Sequence, residues 1–283
     1  MDQTKQLKKL DGFHGVRGPV VTVVMDGIGI AAPNAANAVY HAYTPTLDML
    51  AKNYPMVRLK AHGTAVGLPT DGDMGNSEVG HNALGSGQVF SQGAKLVSES
   101  IENGSMFESD TWKTLLDGVK NSNGTLHFIG LFSDGNVHSH IDHLKAMLVR
   151  AKADGAKRVR IHILLDGRDV GETSALEYVE PFEAFIGGLR DADFDIKIAS
   201  GGGRMTITMD RYEANWPMVE QGWRTHVQAI GRRFPSAKVA IETYRAETGC
   251  IDQDLPAFVI ERSGAPVAKI ANGDSVILFN FRG

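Results

Sequence analysis

The chain alternates strand patterns with helix patterns, and this alternation limits its fold more than any other feature. Runs rich in branched apolar residues predict five strands, at residues 20–25, 125–132, 158–165, 195–199 and 276–281. Two segments with apolar residues every three to four positions, 141–151 and 176–189, predict amphipathic helices. Strand–helix–strand order favours parallel strands joined by crossover helices, so the predicted fold class is α/β.

Glycine and proline punctuate these helices. We expect the first helix to stop at Gly155. Pro181 falls inside the second run, which predicts a helix start or a kink there. A loop-rich stretch at residues 85–95 separates the first part of the chain from the second, so we place a domain boundary there, with domains at 1–90 and 91–283.

Composition excludes several classes of protein. The formal net charge of −4 lacks the basic excess of a nucleic-acid-binding protein. A single cysteine, Cys250, excludes a disulfide within the chain and a CxxC zinc site. No apolar stretch approaches the length of a membrane span, and the first residues lack the apolar core of a signal peptide. We therefore expect a soluble, cytoplasmic protein without nucleic-acid or membrane partners.

The densest polar motif, LPTDGDMGNSEVGHNALGSG, surrounds Ser77. A serine at a helix start is ordinarily an N-cap. Here aspartates, a glutamate and a histidine lie nearby, so Ser77 is equally a candidate nucleophile whose hydroxyl a base or metal would activate. Asp26, just past the first predicted strand, is either a turn former or, together with Ser77, a ligand of a hard divalent cation.

Three further motifs follow predicted strands, SDGNVHSH from Ser133, DGRD from Asp166 and SGGGR from Ser200, and a fourth, FNFR from Phe279, lies at the chain end. The first can be a polar loop with an N-cap at Ser139, or can grip an anion through a histidine. Single arginines are usually solvated charges. Four of them at strand ends or in glycine-rich loops favour a carboxylate or phosphate ligand, hence a small phosphorylated acid: Arg168, Arg204, Arg211 and Arg282. His138 or Asp169 could add acid–base chemistry. The GGGR run lacks the GxGxxG spacing, so a nicotinamide cofactor is unsupported.

These motifs in this order, with VVMDGIG before them, resemble the cofactor-independent phosphoglycerate mutases, in the style of the plant and trypanosomatid branch. The resemblance covers nearly the whole chain from Val20. It implies an alkaline-phosphatase-like α/β domain with an inserted α/β transferase domain. It also implies interconversion of 3-phosphoglycerate and 2-phosphoglycerate in glycolysis, without bisphosphoglycerate, by a monomer that uses two divalent ions, Mn²⁺ or Mg²⁺.

The resemblance assigns a role to each motif. Ser77 resembles the serine that becomes phosphorylated, and Asp26 and Ser77 resemble the ligands of one metal. The substrate-binding set implied by the resemblance is His138, Arg168, Asp169, Arg204, Arg211 and Arg282.

One departure from the family pattern is large. Family members run to about twice this length, and their second half supplies further metal ligands, so this chain resembles an N-terminal fragment and we expect it to be inactive by itself. Two alternatives stay open: a phosphatase or phosphopentomutase-like enzyme sharing the Asp26 and Ser77 site, and a non-catalytic anion-binding protein.

Overall fold

The computed structural model describes residues 11–25, 27–209 and 213–282. The chain in it divides into two units, residues 1–59 and 60–283. The first unit contains two short helices, α1 (Ala38–His41) and α2 (Pro45–Asn53). Asn37 caps α1 by accepting a hydrogen bond from the Tyr40 amide, and Pro45 opens α2, where its missing N–H has no cost. The domain boundary predicted at 85–95 stays a prediction.

The strand predicted at residues 20–25 is not formed. These residues carry neither helix nor strand, and Val20 and Val21 are 75% and 77% exposed. A strand needs a neighbour to accept and donate its backbone hydrogen bonds, and none of the described residues pairs with this segment. The run has the composition of a strand, but no described strand pairs with it, so the prediction of a strand here is wrong for this structure.

The second unit holds eight α-helices, two short 3-10 helices (Gly63–Val66 and Asp252–Asp254) and seven strands along the described residues. The helices are α3 (Ser77–Ser86), α4 (Gly93–Glu102), α5 (Ser105–Glu108), α6 (Asp110–Ser122), α7 (Ile141–Ala153), α8 (Ala175–Leu189), α9 (Trp216–His226) and α10 (Ala237–Thr248). The strands are β1 (Leu126–Leu131), β2 (Arg158–Leu165), β3 (Asp195–Gly203), β4 (Arg232–Phe234), β5 (Phe258–Arg262), β6 (Ala265–Pro266) and β7 (Ser275–Leu278). Along these residues, no helix is both long and apolar enough to cross a membrane.

The strands form one sheet in the order β4-β5-β3-β2-β1-β7, with β6 paired to β5. Strands β3, β2, β1 and β7 run parallel, and β5 runs antiparallel to β3. Helix α7 connects β1 to β2, and α8 connects β2 to β3, as the βαβ pattern requires. The α/β class is confirmed, with an antiparallel pair at one side that the sequence pattern did not indicate.

The predicted elements of this unit differ from the observed ones only at their ends. β2 matches its prediction residue for residue, and α7 ends at Ala153, just before Gly155. Helix α8 begins at Ala175 and contains Pro181, so a helix start at the proline is wrong. β7 ends at Leu278, and the following residues turn toward the carboxyl edge of the sheet.

The core lies between this sheet and its helices. Strand residues such as Phe128, Ile161 and Ile196 pack with Leu144 and Phe182 of the crossover helices, all of them essentially inaccessible to solvent. Burial of a side chain of this size contributes about 1.5–3 kcal/mol to the free energy of folding. The sheet is therefore a rigid platform for the loops at its edge.

The end of β3 packs so closely that only glycine fits. A Cβ on Gly203 would lie 2.2 Å from the carbonyl oxygen of Gln253. We expect Gly203→Ala to lower the free energy of unfolding by about 1–3 kcal/mol, the usual cost of overpacking, as measured by urea denaturation. Gly188→Ala is the matched control, because Gly188 is exposed in α8 and its added Cβ would meet nothing within 4 Å. It should stabilise the chain by about 0.5–1 kcal/mol. An unchanged free energy of unfolding in Gly203→Ala would contradict the close contact between Gly203 and Gln253.

Candidate active site

Four parallel strands end at one edge of the sheet, and a polar motif follows each of them. β1 leads to residues 133–140, β2 to 166–169, β3 to Arg204 and β7 to 279–282. Leu131 is the register partner of Leu164, which is in turn the partner of Gly202, so the first three motifs begin at the same level. Open α/β sheets bind ligands at this edge.

Arg204 joins three of these motifs. Its side chain is 8% exposed, and Nη1 donates to Asp166 Oδ1 at 2.8 Å and to Asp169 Oδ2 at 2.6 Å. Nη2 lies 2.9 Å from His138 Nε2. A guanidinium can only donate, so Nε2 accepts this bond and the proton of a neutral His138 lies on Nδ1. Arg204 is thus a buried, paired cation rather than a solvated charge.

The environment of His138 favours the neutral imidazole. Burial lowers the pKa of His138, and the positive charge of Arg204 lowers it further, whereas Asp169 opposes this effect. The lowered pKa agrees with the accepting role of Nε2. At pH 7 His138 therefore presents Nδ1–H as a hydrogen-bond donor.

Asp166 organises this edge, although the motifs gave it no role of its own. Its side chain is 1% exposed. Besides Arg204, Oδ1 accepts the amides of Arg168 and Asp169, and Oδ2 accepts the Ser133 hydroxyl at 2.5 Å. The carboxylate therefore shapes the loop after β2 and ties it to the loop after β1. Its position directly after a buried strand was the only sequence signal for this role.

Arg168 contrasts with Arg204. Its backbone is held by Asp166, but its side chain is exposed, and within residues 27–209 and 213–282 its guanidinium has no hydrogen-bond or ion-pair partner. Five N–H donors at the carboxyl edge are thus available for an anion. Asp169, half-buried beside it, keeps one carboxylate oxygen on Arg204.

Removal of Arg204 should be strongly destabilising. We expect Arg204→Met to lower the free energy of unfolding by about 3–5 kcal/mol, because Asp166 would be left as an uncompensated buried charge. Arg168→Met is the matched control, with an expected change within about 0.5 kcal/mol, since that side chain is exposed. Urea denaturation of both variants at pH 7.5 makes the comparison. Equal stabilities would show that the Arg204 network contributes nothing.

A tight turn places Ser77 at the start of α3. A Cβ on Gly75 would lie 1.8 Å from the Ala61 carbonyl oxygen, so only glycine fits there. The Gly75 amide donates to His62 Nδ1 at 3.0 Å. Asn76, not Ser77, is the N-cap, and its side chain accepts the Val79 amide. Ser77 is the first helical residue, so the N-cap interpretation of Ser77 is wrong and its hydroxyl is free for another role.

The hydroxyl of Ser77 is exposed and has His81 as its neighbour. Ser77 Oγ lies 3.2 Å from His81 Nδ1, and the same nitrogen lies 2.7 Å from the Ser77 carbonyl oxygen. A carbonyl only accepts, so Nδ1 carries a proton and cannot take another from the hydroxyl. His81 therefore orients the hydroxyl and does not act as its base.

Two contacts connect the Ser77 segment with the carboxyl edge of the sheet. Asn136, after β1, donates to Asp73 Oδ1 at 2.7 Å, and Arg282, after β7, lies 3.4 Å from Glu78 Oε2. Partial burial raises the pKa of Asp73, but hydrogen bonds from Asn136 and Thr70 outweigh it and hold the pKa below its usual value. Asn136 was not singled out from the sequence. The N-terminus of α3 thus faces the arginine-bearing edge.

Ser139 also differs from its predicted role. The N-cap of α7 is His140, whose ring accepts the Asp142 amide. Ser139 is buried and donates to the Leu131 carbonyl oxygen at 2.6 Å, which closes the loop onto the end of β1.

Asp26 and Arg211 lie outside the described residues, so the structure gives no geometry for them. Among the residues that are described, no three His, Cys, Asp or Glu side chains form a group able to hold a metal ion. Of the two metal ligands that the resemblance assigns, the structure therefore describes Ser77 alone. The described residues do not by themselves fit a complete divalent-metal site, which usually has about six ligands.

Comparisons with known proteins agree on one family. Residues 97–283 match the family model described as the BPG-independent PGAM N-terminus. A probable 2,3-bisphosphoglycerate-independent phosphoglycerate mutase of Leptospira interrogans is 56% identical over 93% of this chain and 49% of its own length. The mutase of Trypanosoma brucei is 48% identical over 94% of this chain and 49% of its own.

A solved structure shares the fold. A crystal structure of Leishmania mexicana phosphoglycerate mutase, at low cobalt concentration, superposes with a TM-score of 0.86 and 46% identity. The match covers 92% of this chain and 48% of the Leishmania chain. The chain thus spans about half the length of the relatives that it matches.

Proposed function

The chain belongs to the family of 2,3-bisphosphoglycerate-independent phosphoglycerate mutases, and from this premise we propose that it carries the phosphoryl-accepting serine and most of the glycerate site of such an enzyme. The reaction interconverts 3-phosphoglycerate and 2-phosphoglycerate, two intermediates of glycolysis. The observation that supports the proposal is the convergence of Arg168, Arg204 and His138 at the carboxyl edge, with Arg282 linking that edge to the N-terminus of α3.

Ser77 is the acceptor in this proposal. Its Oγ attacks phosphorus of 3-phosphoglycerate, the bond between phosphorus and the C3 oxygen breaks, and glycerate leaves with a proton on that oxygen. The C2 hydroxyl of the retained glycerate then attacks the phosphoserine, which returns the serine and gives 2-phosphoglycerate. The backbone N–H groups at the start of α3 favour negative charge at this position.

The carboxyl-edge residues hold glycerate between the two transfers. Arg168 has donors that no described residue pairs, so they can bind a carboxylate or phosphoryl oxygen, and His138 offers Nδ1–H. Asp169 would accept a hydroxyl proton through one carboxylate oxygen, while its Oδ2 keeps the hydrogen bond from Arg204. Arg211 and Arg282 complete the set in the proposal. No bisphosphoglycerate is required, because the phosphoryl group comes from the substrate.

A serine hydroxyl needs activation, and His81 does not supply it. We assign this role to a divalent ion, Mn²⁺ or Mg²⁺, bound in part by Asp26 and Ser77, which would lower the pKa of the hydroxyl. Within the described residues, no three His, Cys, Asp or Glu side chains form a group that could complete such a site.

Ligand binding to the 283-residue chain tests the proposal. We expect 3-phosphoglycerate to bind, as measured by calorimetry, and Arg168→Ala to weaken binding by about 10- to 100-fold, the loss expected for charge-assisted hydrogen bonds. Arg158→Ala is the matched control, because Arg158 is an exposed arginine at the opposite end of β2. It should leave the affinity unchanged.

Competing ligands separate the alternatives. Tighter binding of ribose 5-phosphate would favour a phosphopentomutase-like enzyme. Equal binding of inorganic phosphate and 3-phosphoglycerate would favour a plain anion-binding protein. An affinity equally reduced in both arginine variants would contradict the site.

A further inference from the structure

A chain of buried polar side chains crosses the sheet away from the groups that the proposed reaction uses. His127 in β1, His162 in β2, Ser200 in β3 and His226 at the end of α9 are each at most 3% exposed. Successive members lie 2.9, 2.6 and 2.8 Å apart, from His127 Nδ1 to His162 Nε2, from His162 Nδ1 to Ser200 Oγ, and from Ser200 Oγ to His226 Nδ1. A buried polar network is stable only when each of its members has a hydrogen-bond partner, so the groups at its two ends must also be paired.

One end is anchored on a carboxylate. Asp274, just before β7, lies 3.3 Å from His127 Nε2 and also accepts the amides of Thr125 and Ala271. The charged groups near the rings are Asp274 and Arg160, and Arg160 is itself paired with Asp195 at 2.5 Å.

The anchored end fixes the proton order of the whole chain. The Asp274 carboxylate accepts, so His127 donates from Nε2 and accepts at Nδ1. His162 then donates from Nε2 and accepts the Ser200 hydroxyl at Nδ1. Ser200 Oγ accepts from His226 Nδ1, which leaves His226 Nε2 as an acceptor. All three imidazoles are neutral in this order. Burial lowers the pKa of each histidine, which agrees with it.

The other end is Thr208, whose Oγ1 donates to His226 Nε2 at 3.1 Å. Thr208 has a φ of 73°, a left-handed conformation that is unfavourable for a β-branched residue. It belongs to the loop of residues 203–209, in which Arg204 follows Gly203, the last residue of β3. In this loop the amides of Thr206 and Ile207 both donate to the Gly203 carbonyl oxygen. A Cβ on Gly222 of α9 would lie 2.4 Å from Thr208 Oγ1, so α9 closely abuts the strained residue.

We propose that His226 is a positioning residue that keeps the 203–209 loop in its ligand-binding conformation by accepting the Thr208 hydroxyl. The buried chain back to Asp274 holds His226 in the one tautomer that can accept. Carboxylates anchor the start of the loop through Arg204, and His226 anchors its strained end. The consequence for substrate affinity rests on the proposed function, whereas the consequence for the loop does not.

Two pairs of variants separate this role from general stabilisation. His226→Gln places an amide oxygen near the position of Nε2 and can still accept from Thr208. His226→Asn keeps a donor near the position of Nδ1 toward Ser200 and loses that acceptor. Thr208→Val removes the hydroxyl at constant shape, and Thr208→Ser retains it.

Hydrogen exchange of the 205–209 amides in the 283-residue chain is the readout. We expect protection to fall by about tenfold in His226→Asn and Thr208→Val, the factor for one buried partner left unsatisfied. His226→Gln and Thr208→Ser should keep the wild-type protection. Affinity for 3-phosphoglycerate should fall in the first two variants only.

The outcomes are distinct. Equal loss of protection in His226→Asn and His226→Gln, or wild-type protection in Thr208→Val, overturns the positioning role. If His226→Asn does not fold, the two Thr208 variants decide. A wild-type chain that does not bind 3-phosphoglycerate contradicts the proposed function, while the exchange pattern still decides the role of His226.

Discussion

Ser77→Ala should abolish turnover while it leaves the fold intact. Ser77 is exposed, Asn76 caps α3, and the hydroxyl contacts only His81 among the described side chains, so its loss should cost less than the roughly 1 kcal/mol typical of a cap. If Ser77 accepts the phosphoryl group, no other group replaces it. We expect turnover to fall by at least about a thousandfold, as for other catalytic nucleophiles.

A chimera makes the measurement possible. The chain replaces the corresponding half of the Leptospira protein, which is 56% identical to it. Conversion of 3-phosphoglycerate is followed with a coupled enolase assay, and mass spectrometry locates the phosphate after trapping with substrate. Ser86→Ala is the control, since Ser86 is the last residue of the same helix and, among the described residues, its hydroxyl bonds only to backbone groups of Asn82 and Gln88. Phosphate on another residue, or near-normal turnover in Ser77→Ala, would refute the assignment.

Metal dependence can be measured in the same chimera. EDTA should remove activity and Mn²⁺ should restore it, because an unassisted serine hydroxyl is a weak nucleophile. The 283-residue chain alone should show no turnover in millimolar Mn²⁺, because it spans about half the length of the relatives that it matches, and the resemblance places the further metal ligands in the other half. Activity insensitive to EDTA, or dependent on added bisphosphoglycerate, would point to a different mechanism.

The largest effect on stability should come from acid. Burial lowers the pKa of His226 to about 4 and, together with the charge of His140, lowers that of His143 to about 4. Burial also lowers the pKa of His162 and His127. In the unfolded chain the pKa of a histidine is about 6.5.

The difference in proton binding between the folded and unfolded chains decides whether acid stabilises or destabilises the fold. Between pH 6.5 and about 4 the unfolded chain binds protons that the folded chain does not, so the free energy of unfolding falls as the pH falls. Each fully buried neutral histidine contributes a slope of up to about 1.4 kcal/mol per pH unit in that window. The stabilisation is fully present above pH 6.5.

Urea denaturation at pH 7.5, 6 and 5 measures this loss. His143→Gln should reduce the slope of the unfolding free energy against pH by the contribution of one histidine, because Gln binds no proton in this range. Lys95→Gln is the control, since it removes a charge from a half-exposed position of α4 and leaves every histidine in place. A stability independent of pH over this range would show that these histidines bind protons equally in the folded and unfolded chains, so that burial does not lower their pKa.

The sequence indicated the location of the carboxyl-edge site but not the hydrogen bonds and ion pairs within it. Motifs after successive parallel strands must meet at one edge, so the proximity of His138, Asp169 and Arg204 followed from chain order alone. The role of the Asp166 carboxylate could not be predicted from the sequence, because it depends on which hydrogen-bond donors lie around it in the folded chain. Asp26 and Arg211 stay predictions.

Local patterns by themselves determined the βαβ elements, because strand and helix periodicity are properties of consecutive residues. β2 and α7 were predictable for this reason. Pairing is not local. The valine-rich run at 20–25 has the composition of a strand and no partner among the described residues, so it forms none.

The histidine chain is the clearest case of what only the tertiary structure decided. His127, His162, Ser200 and His226 share no motif and lie 35, 38 and 26 residues apart in sequence. The strand order, with β2 between β1 and β3, makes His162 and Ser200 register partners and places His127 beside them. Hydrogen bonds between side chains depend on distances of a few tenths of an ångström, which no sequence spacing encodes.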